Sequence, residues 1–204
     1  MAITVRQERP SSLADYASIP IAFEVRRVLD AVRASDDPTR FTLVERAVEP
    51  YTKDYDSGDG GPTEWPDRFD VARWAFFIAR DGGQPVGAAA CVFDAPDVDM
   101  LDGQPDVALL WDIRVAPDAR GRGVGRALLA ECERWSIQRG ARCLEVETQN
   151  VNAPACRFYE VSGFELRAVD PNAYPSLPHE TQLLWYKRLG PGHSERSEES
   201  RSSR

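Results

Sequence analysis

The chain has 204 residues, 42% of them apolar, and a formal net charge of −8, which allows one α/β domain with its own core, without help from disulfides or metal. The acidic balance weighs against nucleic acid, whose phosphates need a basic face, and no apolar run of ~18 residues is present to span a membrane. The N-terminus, Met1-Ala2-Ile3-Thr4-Val5-Arg6, lacks the apolar stretch of a signal peptide, so the cytoplasm is the expected compartment.

Residues 21–29 and 40–48 are β-leaning runs, separated by the turn signal Ser35-Asp36-Asp37-Pro38. Residues 51–66 read as an acidic loop dotted with aromatics: Tyr51, Asp54, Tyr55, Asp56, Asp59, Glu64 and Trp65. Its stretch Ser57-Gly58-Asp59-Gly60-Gly61-Pro62 does not suit regular structure. Residues 74–80 and 85–93 form a predicted hairpin around Asp81-Gly82-Gly83. A second loop, 95–105, leads to a strand over 107–115. Residues 123–139 place Val124, Leu128, Cys132 and Trp135 at helical spacing, with Gly140 as the C′ residue. A strand over 143–148 follows. Asn152 reads as an N-cap with Pro154 in the first turn of a helix ending near Gly163. Strands at 164–169 and 181–189 close a domain spanning 1–189. Residues 190–204 are Ser, Glu and Arg with almost nothing apolar, and are expected to be a disordered tail. A hairpin followed by β-α-β-α-β predicts a mixed sheet flanked by helices. Cys91, Cys132, Cys143 and Cys156 are scattered singly and read as small core residues. With only His179 and His193 besides, no metal site is expected.

The segment Val115-Ala116-Pro117-Asp118-Ala119-Arg120-Gly121-Arg122-Gly123-Val124-Gly125-Arg126 joins a predicted strand to a predicted helix. Its glycines let the backbone approach an anion with N–H groups pointing inward, and the helix adds the positive end of its dipole. Arg120, Arg122 and Arg126 reverse the charge of an acidic chain locally, which suggests a phosphorylated ligand. A dinucleotide-binding G-x-G-x-x-G fits this place poorly, and no Lys-Ser/Thr is present for a P-loop.

These residues resemble the GNAT superfamily of acetyltransferases. Arg120-Gly121-Arg122-Gly123-Val124-Gly125 matches its Gln/Arg-x-x-Gly-x-Gly/Ala motif, and Asn152-Ala153-Pro154-Ala155-Cys156-Arg157-Phe158-Tyr159-Glu160, closing on Gly163-Phe164, resembles its second conserved block. A narrower resemblance, to streptothricin acetyltransferases, rests on Glu147-Thr148-Gln149-Asn150-Val151-Asn152, Ala168-Val169-Asp170, Tyr174, Trp185-Tyr186-Lys187, and upstream on Phe23-Glu24-Val25 and Glu49-Pro50-Tyr51-Thr52-Lys53-Asp54-Tyr55. One departure is Trp111 before Asp112, where these enzymes often carry a second acid.

The resemblance implies a mixed, mostly antiparallel central sheet, splayed after its fourth strand. It implies acetyl-CoA as the acyl donor, held by residues 120–126 together with Asn152, Ala155 and Tyr159, and no metal. The backbone of Ile113, Arg114 and Val115 would supply an N–H to the oxyanion, and Tyr159 would protonate the departing thiolate. The attacking amine must first lose a proton to a carboxylate, for which Asp112 and Glu147 are both candidates. Glu145 shares a strand face with Glu147 and is a candidate contact to a cationic substrate, as are Asp54, Glu64 and Trp65 of the acidic loop. The expected activity is acetylation of a primary amine of a cationic small molecule such as streptothricin, an antibiotic-modifying reaction. The rival readings are a protein lysine or N-terminal acetyltransferase and a non-catalytic acyl-CoA-binding module. The expected partners are small molecules, not nucleic acid or membrane, and a homodimer is compatible with the sequence.

Overall fold

The computed structural model describes residues 3–35, 37, 40–57 and 60–190. Part of the turn at 35–38, Gly58, Asp59 and all of the predicted tail except Gly190 lie outside the described residues. The elements in chain order are β1 (Thr4–Glu8), α1 (Leu13–Ala17), β2 (Phe23–Arg33), β3 (Phe41–Lys53), α2 (Trp65–Arg68), β4 (Trp74–Asp81), β5 (Gln84–Val92), β6 (Val107–Val115), α3 (Val124–Gln138), β7 (Cys143–Gln149), α4 (Ala153–Val161), β8 (Glu165–Asp170) and β9 (Gln182–Arg188). Seven strands form one sheet in the order β1-β4-β5-β6-β7-β9-β8, and β2 and β3 pair in a sheet of their own. Among the described residues, the β6–β7 pair of this sheet is parallel and its other pairs are antiparallel. Among the described residues no helix is long and apolar enough to cross a membrane.

The main sheet is buried on both faces. On one, Val124, Leu128, Cys132 and Trp135 of α3 pack with Phe77, Ala89, Leu110 and Leu144. On the other, Tyr16 of α1 and Trp65 of α2 pack with Phe76, Ala88 and Leu109. The run Ala88-Ala89-Ala90 in β5 is fully buried, small enough for both layers to close on it. Gly87 goes further, because a Cβ there would lie 2.6 Å from Val124 Cγ1 and 3.0 Å from Leu128 Cδ1. The absence of a side chain at Gly87 is what lets the first turns of α3 settle on the sheet.

The predicted strands and helices are all present, with ends shifted by a few residues, and three features differ from expectation. Strand β3 runs to Lys53, since Phe23↔Lys53 and Val25↔Tyr51 extend the ladder into the predicted loop; α2 forms at its far side. The ladder slips beside Pro50, which has no N–H to give. The elements β1 and α1 are additional, β1 pairing along the β4 edge from Thr4↔Arg80 to Glu8↔Phe76. Cys91, Cys132 and Cys156 are buried, Cys143 is half-buried, and all four are free thiols.

Two irregularities in β6 make room for a site. Parallel pairing with β7 stops at Leu109↔Glu145, so from Leu110 onward β6 has no strand partner on that edge and the sheet splays open. On its other edge, β6 pairs Leu110 with Cys91 but Asp112 with Ala90, leaving Trp111 as a bulge. The extra residue keeps both Trp111 and Asp112 on the α1–α2 side, where Trp111 meets Trp65, Phe69 and Trp74 and Asp112 meets Tyr16.

Candidate active site

A cleft of 1160 Å³ follows the splay, walled by β6 and β7, the turn before α3, the start of α4, and the loops after β3 and β5. The turn is shaped by Gly121 (φ +75°) and Gly123 (φ +83°), a left-handed backbone that residues with a side chain rarely adopt. Gly123 caps α3, whose first N–H groups have no partner within the helix. Arg120 Nε donates to the carbonyl of Val115 (3.1 Å) and ties the turn back to β6. Facing it, Asn152 Oδ1 accepts from the Ala155 N–H (3.2 Å) and starts α4.

The cleft is lined by Ile113, Arg114, Val115, Arg120, Gly121, Gly123, Val124, Gly125, Arg126, Asn152, Ala155 and Tyr159, and by Asp112, Glu147 and Trp65. Arg122 is not among the lining residues and instead donates to Asp81 (2.6 Å). Asp54, Glu64 and Glu145 also lie off the lining. Asp54 Oδ1 accepts from the Asp56 N–H (3.1 Å) and shapes the loop, and Glu64 is the N-cap residue of α2. Glu145 is 2% exposed, within reach of Gln104 Nε2 (3.4 Å). Burial pushes its carboxyl pKa up, while hydrogen bonds from Tyr186 and Gln104 pull it back.

The two candidate bases have different surroundings. Asp112 accepts from Tyr16 OH (2.7 Å) and from Arg114 Nε (3.0 Å) and Nη2 (2.8 Å). Arg114, with 1% of its side chain exposed, also grips Asp56 through Nη1 (2.8 Å) and Nη2 (3.0 Å) and donates to the Ile19 carbonyl (3.2 Å). Burial works against the Arg114 charge, but the Asp112 charge and the hydrogen bonds to Asp112 and Asp56 outweigh it, so its pKa rises. Glu147 accepts from neutral donors: Tyr174 OH and Gln149 Nε2 (3.3 Å) at Oε1, and Gln182 Nε2 (2.6 Å) at Oε2. Burial first, then the bond to Glu147, pushes the Tyr174 phenol well up.

Tyr159 is 4% exposed and held by the rings of Phe158, Phe164 and Trp185. Burial, followed by the negative charge of Asp112, pushes its pKa well above the ordinary phenol value, so it keeps its proton at neutral pH. The arrangement combines a backbone anion cradle, a strand edge that β7 leaves open, a protonated phenol and a carboxylate with no ion pair among the described residues.

Sequence reasoning passed over Tyr16, Asp56, Arg68, Phe69, Asp97, Asp99, Trp111, Gln149 and Gln182. Asp56 lay within the acidic loop and Trp111 stood out as a departure, so a signal existed for both. Tyr16 had none, since its partner is 96 positions away. Among the described residues no group of three or more His, Cys, Asp or Glu is placed to hold a metal ion.

The acetyltransferase (GNAT) family model matches residues 40–164. The streptothricin acetyltransferase of Escherichia coli is 31% identical over 180 residues, which is 87% of this chain and 91% of that protein. Streptothricin acetyltransferase A of Bacillus subtilis (strain 168) is 41% identical over 84 residues, 40% of this chain and 49% of that one. Among solved structures, a nourseothricin acetyltransferase aligns with a TM-score of 0.71 at 27% identity, covering 93% of this chain and 100% of that chain. A Bacillus anthracis str. Ames protein in complex with acetyl coenzyme A shares the fold, with a TM-score of 0.75 at 23% identity and coverage of 92% and 99%.

Proposed function

The chain belongs to the GNAT family of acetyltransferases, and we propose that it transfers the acetyl group of acetyl coenzyme A to a primary amine of a streptothricin-type antibiotic in a ternary complex. One observation carries this reading: a single cleft is lined both by the glycine-arginine turn and by Asp56, Asp97, Asp99 and Glu147. A diphosphate and a cationic amine require those two kinds of surface side by side. The likeness to the Escherichia coli streptothricin acetyltransferase supports the substrate class. Removing an amine's charge by acetylation would modify such an antibiotic, a reaction for the cytoplasm, where the donor is made.

The turn residues fit the donor's diphosphate: Gly121 and Gly123 open the backbone, and Arg120 and Arg126 supply charge. The donor brings a thioester that an uncharged amine can attack. A lysine-type amine has a pKa of about 10 and must first be deprotonated. We assign that step to Glu147, directly or through water, because the charge of Asp112 is already matched by Arg114. Tyr159 holds the proton that the departing thiolate needs.

The reading is tested by steady-state thiol release with streptothricin, a lysine peptide and a peptide N-terminus as acceptors. Streptothricin should give the highest kcat/KM, and preference for either peptide would replace this reading with protein acetylation. Tyr159→Phe and Glu147→Gln should each lower kcat by about 10²-fold or more. Wild-type rates in both variants would remove these residues from the mechanism.

A further inference from the structure

Glu147 is held by a hydrogen-bond chain that runs in one direction. Gln149 Nε2 donates to the Tyr174 hydroxyl (2.8 Å), and the phenol proton passes onward as a bond to Glu147 Oε1. Oε1 takes a second, longer bond from Gln149 Nε2 (3.3 Å), and Oε2 takes one from Gln182 Nε2 (2.6 Å). A carboxylate offers about four lone-pair sites, two on each oxygen. Among the described residues Oε1 is therefore filled, while one lone pair of Oε2 stays open. Phenol and amide donors fix the group without the full positive charge that Arg114 brings to Asp112.

Gln149 closes β7 and Gln182 opens β9, so the sheet itself supplies two of the three donors. Tyr174 comes from the loop joining β8 to β9, where it is half-buried while residues 175–179 are exposed. That loop is tied down behind it. The Leu177 N–H donates to the Tyr174 carbonyl (2.9 Å), the buried Glu180 pairs with Lys53 Nζ at the end of β3 (2.6 Å), and the Thr181 N–H donates to Asn150 Oδ1 (2.9 Å).

We propose that Tyr174 is a positioning residue for acetyl transfer, which fills Oε1 of Glu147 and so presents the open lone pair of Oε2 to the proton of the attacking amine. The inference rests on the assignment of Glu147 as the base in the reading above. In the step it serves, an N–H bond of the ammonium breaks, its electron pair stays on nitrogen, and the proton joins Oε2. The freed pair then attacks the thioester carbonyl. The last torsion of a glutamate side chain is broad, so a carboxylate without the Tyr174 bond turns over a wider arc and meets the amine in line less often.

Tyr174→Phe keeps the ring and removes the donor. In steady-state thiol release with acetyl-CoA and streptothricin, it should lower kcat roughly tenfold, the scale of one hydrogen bond to a charged group. The KM for acetyl-CoA should not change, which also reports an intact fold. The solvent deuterium isotope effect on kcat should rise, because proton transfer to a loosely aimed base slows relative to the other steps. In a Glu147→Gln background the same substitution should cost less than about twofold, since no base is left to aim. A wild-type kcat in Tyr174→Phe, an isotope effect that does not move, or an undiminished loss in the Glu147→Gln background would overturn the proposal and leave Tyr174 as a loop anchor. In each of those cases acetyl transfer by the wild type would still stand. A wild type that releases no thiol with streptothricin would instead strike the reading on which the proposal rests, and the proposal with it.

Discussion

Asp112 and Glu147 border one cleft, yet they differ in what satisfies them. Asp112 belongs to a buried cluster in which Arg114 bridges two carboxylates and Tyr16 closes the remaining side. Such a cluster is costly to break, because each member left alone is a buried uncompensated group. Replacing Arg114 by Leu should cost about 3–5 kcal/mol in urea unfolding. Tyr16→Phe, which removes one hydrogen bond to a charge, should cost about 1.5–3 kcal/mol. For Glu145, burial raises the folded pKa, with hydrogen bonds from Tyr186 and Gln104 working against it. The unfolded side chain releases its proton first, near pH 4.3 or roughly so, and stability is then lost as pH rises through the folded pKa. Glu145→Gln should therefore stabilise the protein at pH 7 and change little at acid pH, as read from unfolding midpoints at the two values. A larger gain at acid pH would contradict the assignment.

At the scale of elements, the site depends on α3 lying close to β5. Gly87→Ala would drive a methyl into Val124 and Leu128, overpacking the seam for about 1–3 kcal/mol. Since α3 carries the anion cradle at its start, the same variant should raise the KM for acetyl-CoA more than that for the amine. The reverse ranking, measured by thiol release, would separate the helix seat from the donor site. The elements legible in the sequence are those whose signals are local. The stripe Val124, Leu128, Cys132 and Trp135, the Asn152 cap and the paired glycines after Asp81 all act within a few residues. Strand β1 and helix α1 were missed because each has five residues and gains its stability from β4 and Trp65 rather than from its own pattern. The Trp111 bulge exists only relative to β5, and no reading of β6 alone reveals it.

At the scale of the molecule, the same distinction runs through the site. The glycine turn was legible because a strand, a glycine turn and a helix stand consecutively in the chain. The acidic side of the cleft was not, because it is gathered from distant segments: Arg114 reaches Asp56 across 58 positions and Gln182 reaches Glu147 across 35. Of the candidates in the acidic loop, Trp65 lines the cleft and Asp54 and Glu64 do not, Asp54 accepting instead from the Asp56 N–H. The splay of β6 from β7 joins the two halves, and the central claim is that acetyl groups cross this junction from acetyl-CoA to a cationic amine. Mass spectrometry of streptothricin incubated with the full chain and acetyl-CoA tests that claim most directly. The account predicts one added acetyl group on a primary amine, matched by one free coenzyme A thiol, and its near disappearance with Tyr159→Phe. Unmodified streptothricin in the presence of a chain that binds acetyl-CoA would contradict it.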